Sequence, residues 1–200
     1  SPAITGRYSN TETVSIAANA ATYVGTFRTT GSTGTTTWEI GGIAANGDPG
    51  RLYIWNCYNR VQLGAFSADN TNSWTYNSAT WRSKNASTTN RISFVQGLSE
   101  DIILATYNVA IQTDVAGTAS AWIGVGLDAT DTLATGTGAA FGYSFVSQTI
   151  SAAAGTGILV PGIGFHFVQA IEVCQSATTE TFYGDTGAFI GNGLYVWGMF

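Results

Sequence analysis

Apolar and polar residues alternate with a period of two from one end of this 200-residue chain to the other, and helical spacing is almost absent. In IILATYNVAIQ, Ile103, Ala105, Tyr107, Val109 and Ile111 share one face while Thr106, Asn108 and Gln112 occupy the other, the pattern of a half-buried antiparallel strand. Ala119, Ala121, Ile123, Val125 and Leu127 repeat it against Ser120, Gly124, Gly126 and Asp128, and Phe141, Tyr143 and Phe145 follow. Dense turn signals separate these runs, among them TTGSTG at 29–34, ANGDPG at 45–50, SADNTN at 67–72 and KNASTTN at 84–90. The expected fold is all-β, an antiparallel β-sandwich of jelly-roll type with about nine to eleven strands. One domain over residues 21–200 accounts for the length, preceded by a weakly structured arm or linker at 1–20.

Two runs break the inside/outside rule. RLYIWNCYNRVQLGAF, residues 51–66, carries Tyr53, Trp55, Cys57, Val61 and Leu63 on one face and Leu52, Ile54, Tyr58 and Phe66 on the other. GLYVWGMF, residues 193–200, is apolar on both sides as well. A sandwich strand needs only one dry face, so something is expected to cover the second, most economically another copy of the chain. A charged content of only 10% agrees, because a lone soluble domain usually wets its surface with many more charges. Tyr53, Trp55, His166, Trp197 and Phe200 are the expected interface residues.

Charge is distributed unevenly. Residues 1–91 hold all seven basic side chains against four acidic ones, and residues 92–200 hold none against eight. Nucleic acid is a poor partner for such a chain, since its one basic cluster, Arg82, Lys84 and Arg91, surrounds a polar turn and reads as a solvated loop. No apolar run approaches the ~20 residues of a membrane-spanning helix, so no membrane insertion is expected. The chain opens on Ser1 instead of Met, as expected of a processed product or the C-terminal piece of something longer.

Chemistry-bearing residues are sparse. His166, the only histidine, shares a strand face with Glu172 and Cys174. Cys174 lies roughly 26 Å farther along an extended strand, out of reach for a thiol–imidazole pair. Glu39 and Glu172 are the natural pair for a polysaccharide-degrading glycoside hydrolase, but neither is expected among the aromatic and arginine residues such enzymes gather. Asp128 and Asp131 are weak calcium candidates in a loop that reads more simply as solvated. No cofactor is expected. Cys57 and Cys174 fit either a disulfide or two buried thiols. Asn85-Ala86-Ser87 is a glycosylation sequon only in a secretory setting.

The stretch NSWTYNSATWRS, residues 72–83, places Trp74, Tyr76, Trp81 and Arg82 in a polar background. Sugar C–H faces stack on such rings while Asn, Ser and Arg bond the hydroxyls, so these four are the candidate ligand-binding residues. Core or inter-subunit packing is the simpler use of the same side chains.

The strings RLYIWNCYNRV, SWTYNSATWRSKN, NRISFVQGLSED, GFHFVQAIE, TFYG and GLYVWGMF, spread over roughly residues 38–200, make the chain resemble a C-terminal module of tailed-bacteriophage virion proteins: tail fibres, tailspikes and head fibres. The resemblance implies a non-enzymatic β-sandwich homotrimer in the extracellular particle, in contact with other virion proteins. It further implies attachment to a host-surface glycan or protein receptor, with a capsid-decoration role as the alternative. It supplies no catalytic pattern.

Overall fold

The computed structural model of the chain describes residues 4–7, 13–17, 20, 22–32, 34–113, 120–138, 140–143, 150–175, 179–184 and 192–200. Its strands, in chain order, are β1 (Ile4–Arg7), β2 (Thr13–Ile16), β3 (Gly25–Phe27), β4 (Trp38–Glu39), β5 (Ile43–Ala44), β6 (Gly50–Leu52), β7 (Ile54–Asn56), β8 (Gln62–Asp69), β9 (Ser73–Tyr76) and β10 (Arg82–Ser83). They continue as β11 (Arg91–Gln96), β12 (Ile103–Thr113), β13 (Ser120–Leu127), β14 (Thr137–Gly138), β15 (Ala140–Tyr143), β16 (Ile150–Leu159), β17 (Gly164–Cys174), β18 (Glu180–Tyr183) and β19 (Gly193–Met199). No described segment is α-helical, so the chain is all-β, and no described helix could cross a membrane.

Two sheets face each other. The first runs β15-β13-β17-β11-β6-β4 with β10 beside β17, and the second runs β14-β16-β12-β19-β8-β5 with β18 on β12 and β9 on β18. The alternation at 103–111 does what it dictates: Ile103, Ala105, Tyr107, Val109 and Ile111 are all at most 2% exposed. They share one buried cluster with Phe94, Ile123, Val125 and Val168 of the first sheet. Across β16 the inward positions are Ala153, Gly155, Gly157 and Leu159. A side chain at Gly155 would meet the Ile123 carbonyl oxygen at 2.9 Å, so the sheets approach backbone to backbone there. Ala119 and Phe145, placed on strand faces by the sequence pattern, lie outside the described residues.

The strand count exceeds the nine to eleven expected, because glycine- and asparagine-rich punctuation cuts the ladders into pieces of two to four residues, such as β4, β5 and β10. The sheets are not wholly antiparallel either: β6 lies parallel to β11, and β5 parallel to β8. Residues 1–20, expected as an arm or linker, contain the antiparallel ribbon β1–β2.

The doubly apolar run at 51–66 is not one strand with a covered outer face. It divides into β6 in the first sheet, β7 in a separate ribbon with β3, and β8 in the second sheet. As the chain passes from layer to layer, its two faces take turns pointing inward. Trp55 of β7 is 1% exposed within the protomer itself, stacked on Tyr23 at 5.7 Å between ring centres. The run at 193–200 does remain a single strand. Leu194, Val196 and Phe200 are buried on its inner side, while Tyr195 and Trp197 form an aromatic outer side with Trp197 37% exposed.

Candidate functional site

The stretch at 72–83 divides between the layers, since β9 joins the second sheet through β18 while β10 pairs with β17 of the first. Trp74 stacks on Phe182 at 6.0 Å with the rings nearly parallel, and its indole N–H points at the carboxylate of Glu172, 3.1 and 3.0 Å from the two oxygens. Arg82 donates from Nε to Glu172 at 2.9 Å, and its guanidinium lies 3.7 Å over the Tyr76 ring. The Tyr76 hydroxyl donates to the Thr80 carbonyl. Trp81 is half-buried. Trp74 and Arg82 are thus joined through an interior carboxylate, and Tyr76 is tied to them by packing under Arg82.

Glu172 is therefore surrounded by an indole and a guanidinium, contrary to the sequence expectation, because the register Arg82↔Glu172 brings β10 alongside it. It is fully buried, and burial raises its pKa, with Arg82 and the Trp74 hydrogen bond working in the opposite direction. Lys84, expected in a solvated loop, is likewise 0% exposed. Its Nζ donates to Oδ1 of Asn192 and lies 5.6 and 5.4 Å from the ring centres of Trp74 and Tyr107. Burial pushes the lysine down to about 8, against the fields of Asp69 and Glu172. Asn85, with a left-handed φ of 52°, bridges the two acids, since its backbone N–H donates to Glu172 and its side-chain amide to Asp69. That side chain faces inward, a poor glycan acceptor. Burial would raise the pKa of Asp69, but donors from Thr71 and Asn85 hold it below its ordinary value. No local sequence pattern marks Lys84, Asp69, Asn192 and Glu172 as one cluster; β8, β17, the turn after β10 and the entry to β19 supply one residue each.

The other candidates separate. Glu39 pairs with Arg51 at the sheet edge. Glu39 pairs across from Arg51, Arg51 from Ser93 and Ser93 from Phe167, which leaves Glu172 five residues and three strands away. That separation is about 20 Å, far beyond the 5–10 Å a glycosidase pair spans. His166 Nδ1 is 2.7 Å from Oδ2 of Asp128, whose other oxygen accepts from the Phe167 N–H at 2.9 Å. Asp128 is therefore committed to β17, and Asp131 accepts from the Thr132 hydroxyl. Among the described residues no three His, Cys, Asp or Glu side chains converge on a metal position. Cys57 and Cys174 are free thiols.

Two surface features remain. Arg28, Thr29, Thr30, Gly31, Thr37, Arg51 and Tyr53 line an open cleft of about 360 Å³. Arg28 is held 3.5 Å above the ring centre of Phe165, and Phe165 meets Tyr53 edge-on at 5.8 Å. Arg51 is neutralised by Glu39, whereas Arg28 has no carboxylate within 4.0 Å among the described residues. No family model and no curated protein matches this chain.

The second feature is the outer face of the second sheet, where Ile158, Leu104 and Trp197 stand in register on adjacent strands, 60%, 41% and 37% exposed. Phe66, Tyr195 and Trp197 stack beside them at 6.3 and 5.8 Å. Of the five expected interface residues, Trp197 reaches this face and Tyr53 the cleft. Trp55 and Phe200 lie in the core, and His166 is tied to Asp128 with its side chain 13% exposed.

Proposed function

We propose that this chain is a non-enzymatic virion module that attaches the particle to a host-surface glycan carrying a carboxylate or similar anion. The observation that carries the reading is the cleft: an uncompensated guanidinium, Arg28, braced on aromatic rings and ringed by Thr29, Thr30 and Thr37. A guanidinium offers a planar fork to a carboxylate, threonine hydroxyls match sugar hydroxyls, and the Tyr53 ring offers an apolar face. The resemblance to phage fibre modules supports the setting.

A homotrimer is part of the proposal, with the Ile158–Leu104–Trp197 row as the shared surface. Three large apolar side chains in register on one exposed face suit a self-association surface better than open water.

The test is binding of the purified protein to an array containing uronic-acid, sialylated and neutral oligosaccharides. Retention on acidic sugars, lost in Arg28→Ala with the thermal midpoint unchanged, is the expected result. Equal binding by Arg28→Ala, a preference for neutral sugars, or binding to capsids and never to cells overturns it.

A further inference from the structure

We propose that Lys84 and Asn192 become covalently joined inside the folded protomer, through an isopeptide bond between Lys84 Nζ and Asn192 Cγ. The inference is independent of the attachment reading.

Three observations converge on it. The first is geometry. Lys84 Nζ donates to Asn192 Oδ1, while Asn192 Nδ2 is held in the opposite direction by the carbonyls of Asp69, at 2.9 Å, and Gly184. Those two carbonyls fix which end of the amide faces the amine. The electrophilic carbon sits only about 1.2 Å beyond the contacted oxygen, so a small slide of the amine over the amide plane brings it into attack position.

The second is an anomaly of charge. Lys84 is wholly buried, yet among the described residues no carboxylate lies within 4.0 Å of its Nζ. Among the described residues its three donors find one acceptor, and the rings of Trp74 and Tyr107 flank it. Burying an ammonium so poorly compensated shifts it toward its neutral form, the nucleophilic one, in keeping with a pKa lowered to about 8.

The third is enclosure. Lys84 is 0% and Asn192 6% exposed, so an external substrate has no way to the amine. A nucleophile and an amide sealed together can react only with each other. The Tyr107 hydroxyl, on one of the rings flanking Nζ, is buried with no hydrogen-bond partner among the described residues, leaving a spare donor in the same enclosure.

The step balances without an oxidant or cofactor. The Nζ lone pair forms a bond to Cγ, and the Cγ–Nδ2 bond breaks. Nδ2 leaves as ammonia, taking up the proton that Nζ releases, while the negative fields of Asp69 and Glu172 stabilise the positive charge that develops on the attacking nitrogen. The product removes a buried charge and staples the turn after β10 in the first sheet to β19 in the second, across a sequence span of 108 residues.

The test is the intact mass of the full chain under denaturing conditions, after incubation at about pH 8, where much of the amine is neutral. The expected mass falls short of the sequence mass by one ammonia, about 17 Da. Trypsin gives an independent reading, because no Lys or Arg follows Arg91. With the bond formed, Lys84 is not cleaved and residues 83–91 remain attached to 92–200 as one branched species. Lys84→Met and Asn192→Ala should each return to their full sequence masses. A wild-type chain at full mass with a free 92–200 fragment overturns the proposal, as does an ammonia deficit that persists in Lys84→Met.

Discussion

Trp74 donates its indole N–H to the carboxylate of Glu172, 98 residues farther along the chain and in the opposite sheet. The contact shows how this sandwich treats its polar groups. Large aromatic residues close the interior, and the two acids of the buried cluster are met by donors from both layers. Glu172 receives Trp74, Arg82 and the Asn85 N–H, and Asp69 receives the Asn46 and Thr71 N–H groups and the Asn85 amide. Each acid is acceptable inside because its lone pairs are occupied.

Arg82→Ala should destabilise the protein by about 3 kcal/mol at neutral pH, because it leaves a buried carboxylate without its counter-charge. The loss should depend on pH. Glu172 has a folded pKa raised above its ordinary 4.5, so its protonated form is favoured by folding; that contribution is full at acid pH and disappears as pH rises from 4.5 through the folded value. Without Arg82 the folded value rises further. Urea midpoints of variant and wild type should therefore lie closer together at acid pH than at mildly alkaline pH, and a gap independent of pH would contradict the assignment.

Gly97→Ala should be among the most damaging single methyl additions. The new Cβ would fall 2.1 Å from the Trp55 ring, which is itself pinned between Tyr23 and the core. Overpacking of this kind costs about 1–3 kcal/mol or more, read as a lower thermal midpoint, with Gly31→Ala as a control where open space surrounds the new methyl.

The two thiols should behave differently. Cys174 is buried, donates to the Tyr76 carbonyl at 3.2 Å, and is pushed up to about 12 by burial and the nearby acids, so it should resist alkylation in the native state. Cys57 is only partly buried and should react first. Mass spectrometry should find one adduct on the native protein and two after denaturation without reductant. A chain that takes up none when denatured would hold a disulfide instead.

Trp197→Ser tests the shared face. The ring lies across Gly64 and stacks on Tyr195 with more than a third of its surface exposed, so the protomer should lose only about 1 kcal/mol. Sedimentation equilibrium should show the trimer giving way to monomer while the β-sheet signal in circular dichroism is preserved. A wild type that sediments as a monomer at micromolar concentration would remove the shared face altogether.

The sequence by itself determined the class of this protein. Alternation with a period of two is a local property, fixed by the geometry of each strand, so Ile103, Ala105, Tyr107, Val109 and Ile111 announce their common burial without reference to anything else. The same reasoning failed at 51–66, where apolar residues on both faces marked a chain changing layers and not a covered strand, because local periodicity does not show which sheet a strand joins. Lys84 read as solvated for a related reason. Whether a lysine can be buried depends on what lies opposite it, and here that is Asn192, with Tyr107 and Trp74 around it. Only tertiary structure decided that Lys84 lies inside and that Arg82 reaches an interior carboxylate, since the partners that make burial tolerable are drawn from four segments spread over more than 100 residues.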